Sequence, residues 1–251
     1  MAKIISIHSF RGGTGKSNIA ANITTLLAAA GQRVCVIDTD IQSPGIHNLF
    51  HLDGDAVTYA LNDYLWGRCT IEQAVTDVTA HLQTPVPGRV FLIPSSIKAG
   101  EIARILREGC DARLLTSGLR RAINDLALDT LVIDTHPGLN EETMLSIAIS
   151  HVLLIIMRPD RQDYEGTAVT VEVANALNVP RMAMIMNKVP PGFDLDSLRT
   201  QVAQNYTCEV AAILPHSDEM MTLASGGLFV QHYPDHPVTA SLKQVVDVVL
   251  T

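Results

Sequence analysis

Seven short runs of this chain are apolar almost throughout: Ile4–His8, Arg33–Ile37, Val90–Ile93, Thr130–Ile133, Val152–Met157, Met182–Met186 and Val210–Ile213. A strand with one wet face alternates apolar and polar residues; a strand apolar along its whole length belongs to a parallel sheet buried on both faces. Helical patterns separate the runs, at Lys16–Ala30, Ile97–Leu126, Glu141–Ile149, Asp160–Leu177, Leu195–Asn205 and Val238–Leu250. Strand alternating with helix implies right-handed crossovers that lay helices on both sides of the sheet. The expected fold is therefore α/β, a doubly wound and mostly parallel sheet. The chain has 251 residues, enough for one large domain or two small ones. No repeat, low-complexity tract or linker divides it, and the stretch Gln83–Gly88 reads as a turn between elements. A single domain over 1–251 is expected.

Charge narrows the partners. Lys and Arg number 18 against 26 Asp and Glu, a net charge of -8, which opposes whole-molecule attraction to nucleic acid or anionic lipid. No apolar run approaches the roughly 20 residues that span a bilayer. The opening Met1-Ala2-Lys3-Ile4-Ile5-Ser6 runs straight into a β-pattern, so no secretion leader is expected. Cys35, Cys69, Cys110 and Cys208 are scattered without a CxxC pair, which argues against a disulfide framework or a single-chain zinc or iron–sulfur site. A reducing, cytoplasmic setting is the expectation.

In doubly wound sheets, ligands bind where the strands end at their carboxyl side. The first strand ends in Ser9-Phe10-Arg11-Gly12-Gly13-Thr14-Gly15-Lys16-Ser17 and then enters a helix. Glycines let successive N–H groups turn inward on an anion, and the helix adds its own unpaired N–H groups and positive dipole end. Lys16 can reach the β- and γ-phosphates of a nucleotide, and the Ser17 hydroxyl can ligate magnesium. Phe10 stands where the ordinary phosphate loop has glycine, so this is a variant loop with a cation just ahead of Gly-Gly-x-Gly-Lys-Ser.

With that loop the chain resembles the MinD/ParA group of deviant Walker A P-loop ATPases, which implies a P-loop NTPase fold of the SIMIBI-like class. The family's loop carries a lysine ahead of Gly-Gly that reaches across a dimer to the partner's nucleotide; here the position is Arg11. Arginine keeps the charge but offers a planar fork able to bond two phosphate oxygens. The resemblance makes Arg11, Gly12, Gly13, Thr14, Gly15, Lys16, Ser17 and Asn18 nucleotide contacts, with Arg11 and Lys16 also serving catalysis.

Two further strands end in carboxylates. Asp38-Thr39-Asp40 follows Val34–Ile37 and resembles the family's switch I; by that likeness Asp40 orients the attacking water and Asp38 holds magnesium-bound waters. Asp134-Thr135-His136-Pro137-Gly138 follows Leu131–Ile133 and resembles its switch II, where Asp134 supports the metal and His136 replaces a proline. Asn187-Lys188 and Ile213-Leu214-Pro215 resemble the segments that border adenine, which assigns Asn187 and Pro215 to the base. The likeness implies ATP and magnesium as cofactors, an ATP-dependent homodimer, an activating protein partner, and slow hydrolysis that partitions or positions a cargo. Nonspecific DNA is a candidate surface. An ATP-binding module with little hydrolysis is the rival reading. A P-loop ligase or amidotransferase would need a substrate-pocket motif that is missing, and no cysteine sits near Asp134 as in iron–sulfur relatives.

Other clusters read as structure. His232 and His236 are separated and followed by prolines that prevent a ligand-aligning helix, so both are expected in a surface loop. Arg158–Asp163 either borders the nucleotide and dimer seam or caps a helix through Asp160. Arg104, Arg107, Arg113, Arg120 and Arg121 form either a solvated face or a DNA-facing stripe. The closing helix has one lysine and one aspartate, unlike a basic amphipathic anchor, so no direct membrane anchor is expected.

Overall fold

The computed structural model describes residues 2–52, 56–109 and 111–251. Strands β1 (Lys3–His8), β2 (Arg33–Asp38), β3 (Thr76–Asp77), β4 (Arg89–Ile93), β5 (Thr130–Asp134), β6 (Val152–Met157), β7 (Met182–Val189) and β8 (Glu209–Pro215) form one sheet in the order β3-β4-β2-β5-β1-β6-β7-β8. Every pairing is parallel except that of β3 with β4. The seven expected strands are present; the two-residue edge strand β3 carries too little pattern to announce itself.

Helices cover both faces, which explains the unbroken apolar strands. Ile5, Ile7, Val34, Val36 and Leu154 pack against α1 (Lys16–Ala29) and α11 (Pro237–Leu250), whose Val238, Leu242, Val245 and Val249 are fully buried. The opposite face divides in two. Cys35, Ile37, Leu131 and Ile133 meet α5 (Ala112–Asp125), whereas Leu153, Ile155, Met184 and Met186 meet α7 (Arg161–Ala176) and α8 (Leu195–Tyr206). Thus α11 is a core helix, and among the described residues no helix is long and apolar enough to cross a membrane.

The helix expected over Ile97–Leu126 is instead two, α4 (Ala99–Glu108) and α5. Gly109 ends α4 at φ 70, a conformation glycine adopts without penalty, and Asp111 starts α5 by accepting from the Arg113 and Leu114 N–H groups. Met1 and Cys110 lie outside the described residues. The two histidines expected in a loop belong to helix ends: His232 closes α10 (Phe229–His232), and His236 accepts from Val238 N as the cap of α11 while packing edge-on against Phe229. The short helices α2 (Ile46–Leu49), α3 (Leu61–Leu65) and α9 (Asp218–Leu223) fill connections, and α6 (Glu141–Ala148) follows β5.

Candidate functional site

β1 lies between β5 and β6, so the loop after His8 leaves from the middle of the sheet. Gly13 and Gly15 take φ values of 77 and 92, the left-handed region that a side chain would strain. Gly15 is constrained twice, because a Cβ there would lie 2.6 Å from Asn187 Nδ2. α1 begins at Lys16 with no side chain capping it, leaving its first N–H groups available. A cleft of about 340 Å³ opens over this turn, lined by Ser9, Gly12 to Asn18, Asp40, Ser43 and Pro137. Phe10 anchors the loop from behind by packing on Gly166 of α7, where any Cβ would collide with its ring.

Strand register gathers the acids. Asp38 and Asp134 are partners at the ends of β2 and β5, and Lys16 Nζ donates to Asp134 Oδ1 at 2.9 Å and lies 3.9 Å from Asp40 Oδ2. Burial alone would lower the Lys16 pKa, but Asp134, with Asp40 and Asp38, outweighs it and holds the ammonium charged. Burial first, and then the Asp134 charge, push Asp38 up to about 8, even though its oxygens accept from Asp40 N at 3.0 Å and Gly45 N at 3.1 Å. Asp40 is raised as well, chiefly by burial. Three carboxylates thus face one ammonium, and Asp134 Oδ2 is buried without a partner. Ionising all three without a further cation is costly, and a divalent cation would relieve that cost. Among the described residues no three His, Cys, Asp or Glu side chains form a ready metal cage. Magnesium, which retains waters and favours phosphate oxygens, needs none.

His136 Nε2 lies 3.8 Å from Asp40 Oδ1, so the segment after β5 approaches the segment after β2 through the residue that departs from the family pattern. His8, beneath the loop, has its pKa lowered to about 3 by burial and then by Lys16, and stays neutral while bonded to Thr135 Oγ1 at 2.9 Å. Nothing local in the sequence marks His8; it is a strand terminus that the fold carries under the loop.

At the base end, Asn187 is buried, donating to Thr14 O at 2.7 Å and accepting from Lys188 N at 2.9 Å. Its amide therefore braces the phosphate loop. Lys188, within the Asn187-Lys188 motif, adds a bond from Nζ to Gly13 O at 2.9 Å. Pro215 closes β8 beside Val189 and is exposed. Asn18 donates to Ala224 O at 3.2 Å, tying α1 to the segment after α9.

Arg11 Nη1 lies 3.4 Å from both Asp160 Oδ1 and Asp163 Oδ1. Asp160 caps α7 by accepting from Asp163 N, and the 3% exposed Asp163 accepts from Arg158 Nε at 3.0 Å and Nη2 at 3.1 Å. The Arg158–Asp163 cluster is thus both a helix cap and the seat of Arg11. In the arginine series, Arg104 pairs with Glu108 and stacks on Trp66, and Arg121 pairs with Glu72.

A sequence family described as an AAA domain matches residues 2–181. An uncharacterized ATP-binding protein of Methanocaldococcus jannaschii is 27% identical over 98% of this chain and 86% of its own. The septum site-determining protein MinD of Bacillus subtilis is 22% identical over 98% of this chain and 88% of its own. In fold, the MinD of Pyrococcus horikoshii complexed with Mg-ADP superposes with a TM-score of 0.82 at 19% identity, covering 99% of this chain and 96% of that one. A plasmid partition protein from Borrelia burgdorferi gives a TM-score of 0.75 at 18% identity over 100% and 99%. The variant glycine loop on β1, the acids closing β2 and β5, and these likenesses together place the chain in the MinD/ParA family of P-loop ATPases.

Proposed function

We propose that this protein is a slow, magnesium-dependent ATPase that works as a positional switch: ATP brings two copies face to face, and hydrolysis separates them. One observation carries the reading: Lys16 and Asp40 line the glycine-loop cleft, nearly dry, and Asp134 and Asp38 are buried beside them. A lone ammonium beneath an anion-binding turn, with surplus carboxylate beside it, suits a triphosphate and its cation.

The N–H groups of Gly12 to Ser17 and the α1 terminus hold the phosphates. Lys16 exchanges Asp134 for the β- and γ-oxygens, neutralising charge as it develops. Ser17, with Asp38 and Asp134 acting through waters, would hold magnesium, which when bound screens the phosphate charge from the nucleophile. Asp40 orients the water and takes its proton, which needs a carboxylate within hydrogen-bond reach. Asn18 lines the phosphate cleft, and Asn187 and Pro215 border the base, Asn187 doing so with backbone help because its amide is committed to Thr14 O. For Arg11 to act across a dimer it must leave Asp160 and Asp163; its pairing with the 42% exposed Asp160 is a weak surface one, and the 3% exposed Asp163 keeps Arg158 at 3.0 Å when Arg11 departs.

The cargo class follows from relatives named for septum-site placement and plasmid partition, with an activating protein partner and nonspecific DNA as candidate contacts. On this reading the protein acts in the cytoplasm. The in-chain seat of Arg11 favours one rival, a module that loads ATP and scarcely hydrolyses it. Single-turnover hydrolysis by wild type and Asp40→Ala decides: faster wild type supports the switch, and equal rates support the module. Sedimentation with ADP and then ATP, with and without nonspecific DNA, tests dimerisation and the DNA contact.

A further inference from the structure

A second cavity opens at the carboxyl end of β4, away from the glycine loop. It holds about 40 Å³ and is lined by His47, Val57, Thr58, Ala60, Asp63 and residues Ser95 to Lys98. At roughly 10–15 Å³ per water-sized occupant, that is room for about three non-hydrogen atoms. A carboxylate, one carbon and two oxygens, is a group of that size.

The lining is rich in donors. His47 is 5% exposed, and its Nδ1 is buried without a hydrogen-bond partner. Burial lowers its pKa, so the ring is neutral and can present an N–H there. Behind Ser96, Asn62 is 0% exposed; its Oδ1 accepts from Ser96 N at 2.8 Å, and its Nδ2 has no partner. Ser96 Oγ accepts from Lys98 N at 3.2 Å, which leaves its own hydrogen to give. α4, a helix of 10 residues, begins just past Lys98 with no side chain capping it, so its positive end adds to the same spot. Of the acids nearby, Asp63 accepts from Ala60 N through Oδ2 and shares Arg68 with Glu101, at 3.2 and 3.0 Å, while Glu101 Oε2 is buried without a partner. Lys98 remains exposed at the mouth.

We propose that the cavity lined by His47, Ser96 and Lys98, just ahead of α4, is a binding site for a carboxylate, separate from the nucleotide cleft. Its wall is shared with switch I: Ser95 Oγ donates to Asp38 O at 2.7 Å, and His47 lies two residues beyond Gly45, whose N–H holds Asp38 Oδ2. An occupant therefore rests on the segment that carries the switch acids.

The test is a ¹⁵N NMR titration of the full chain with sodium acetate, against sodium chloride at equal ionic strength and without nucleotide, so that its outcome is independent of the ATPase reading. Expected are saturable shifts at the Asn62 side-chain amide and the Ala99 and Gly100 N–H groups, absent with chloride. Lys98→Met, at an exposed position, should weaken the acetate Kd about three- to fivefold, the scale of an exposed charge contact. His47→Leu should abolish saturation; if it fails to fold, Lys98→Met decides alone. N-acetyl-glutamate N-methylamide separates the sources. Tighter binding than acetate assigns the site to an acidic side chain of a partner protein, and equal binding to a small free carboxylate. Non-saturating shifts, shifts matched by chloride, or an acetate Kd unchanged in Lys98→Met would overturn the proposal and leave the cavity to ordered waters.

Discussion

At the level of single residues, function rests on groups whose charges do not balance. Asp40 lies beside Lys16 and His136 in a site too dry to screen them, so under the proposed function its carboxylate serves hydrolysis more than the fold. Asp40→Asn should retain Mg–ATP binding while single-turnover hydrolysis falls by about 10²–10⁴-fold, the usual scale of a general base; unchanged hydrolysis would remove Asp40 from the reaction. Gly15→Ala should abolish nucleotide binding while the chain stays folded, because φ 92 is strained for a residue with a Cβ and the new methyl displaces Asn187 from the loop. Calorimetry with a thermal melt checks both halves. The three acids could be located from sequence because each ends or closely follows a buried strand, and Lys16 and Ser17 because the glycine loop runs straight into them. The work of Asn187 and the in-chain seat of Arg11 could not, since their partners, Thr14 and Asp160 with Asp163, are 149 or more residues away and nothing local announces them.

Among the elements, α7 couples the loop to the sheet. Asp163 in its first turn is nearly enclosed and joins Arg158 and Arg11. Burial alone would raise its pKa, but the hydrogen bonds and charges of Arg158, then Arg11, prevail and hold it below the usual carboxylate range. A carboxyl whose folded pKa is depressed contributes stability that is complete above its unfolded pKa, about 3.9, and is lost as pH falls through the lower folded value. Asp163→Asn should therefore lower the melting temperature at pH 7, by an amount equivalent to about 1.5–3 kcal/mol for hydrogen bonds to charged groups. The gap from wild type should narrow as pH drops below 4; a pH-independent gap would contradict the ion-pair account. The elements themselves were legible wherever burial on both faces dictated an apolar run. Misreading came where one residue decides the outcome: Gly109 at φ 70 splits a helical pattern that charge and apolar spacing alone carry straight through. β3, two residues long, has no periodicity to read.

For the whole molecule, the sheet order sets the glycine loop between β5 and β6 and leaves Arg11 at the rim, reachable by a second copy once Asp160 and Asp163 release it. Arg11→Ala should keep ATP binding by the monomer yet lose ATP-dependent dimerisation in sedimentation. Hydrolysis should fall by up to the roughly 10³–10⁵ that an arginine supplied in trans contributes; dimerisation and turnover equal to wild type would confine Arg11 to its own chain. All of this depends on a metal-bound triphosphate settling over Lys16. Isothermal calorimetry of Mg–ATP against wild type and Lys16→Met measures that directly. Saturable heat with the wild type and none with the folded variant is the expected result; no heat with wild type, or equal affinity in both, would contradict the account.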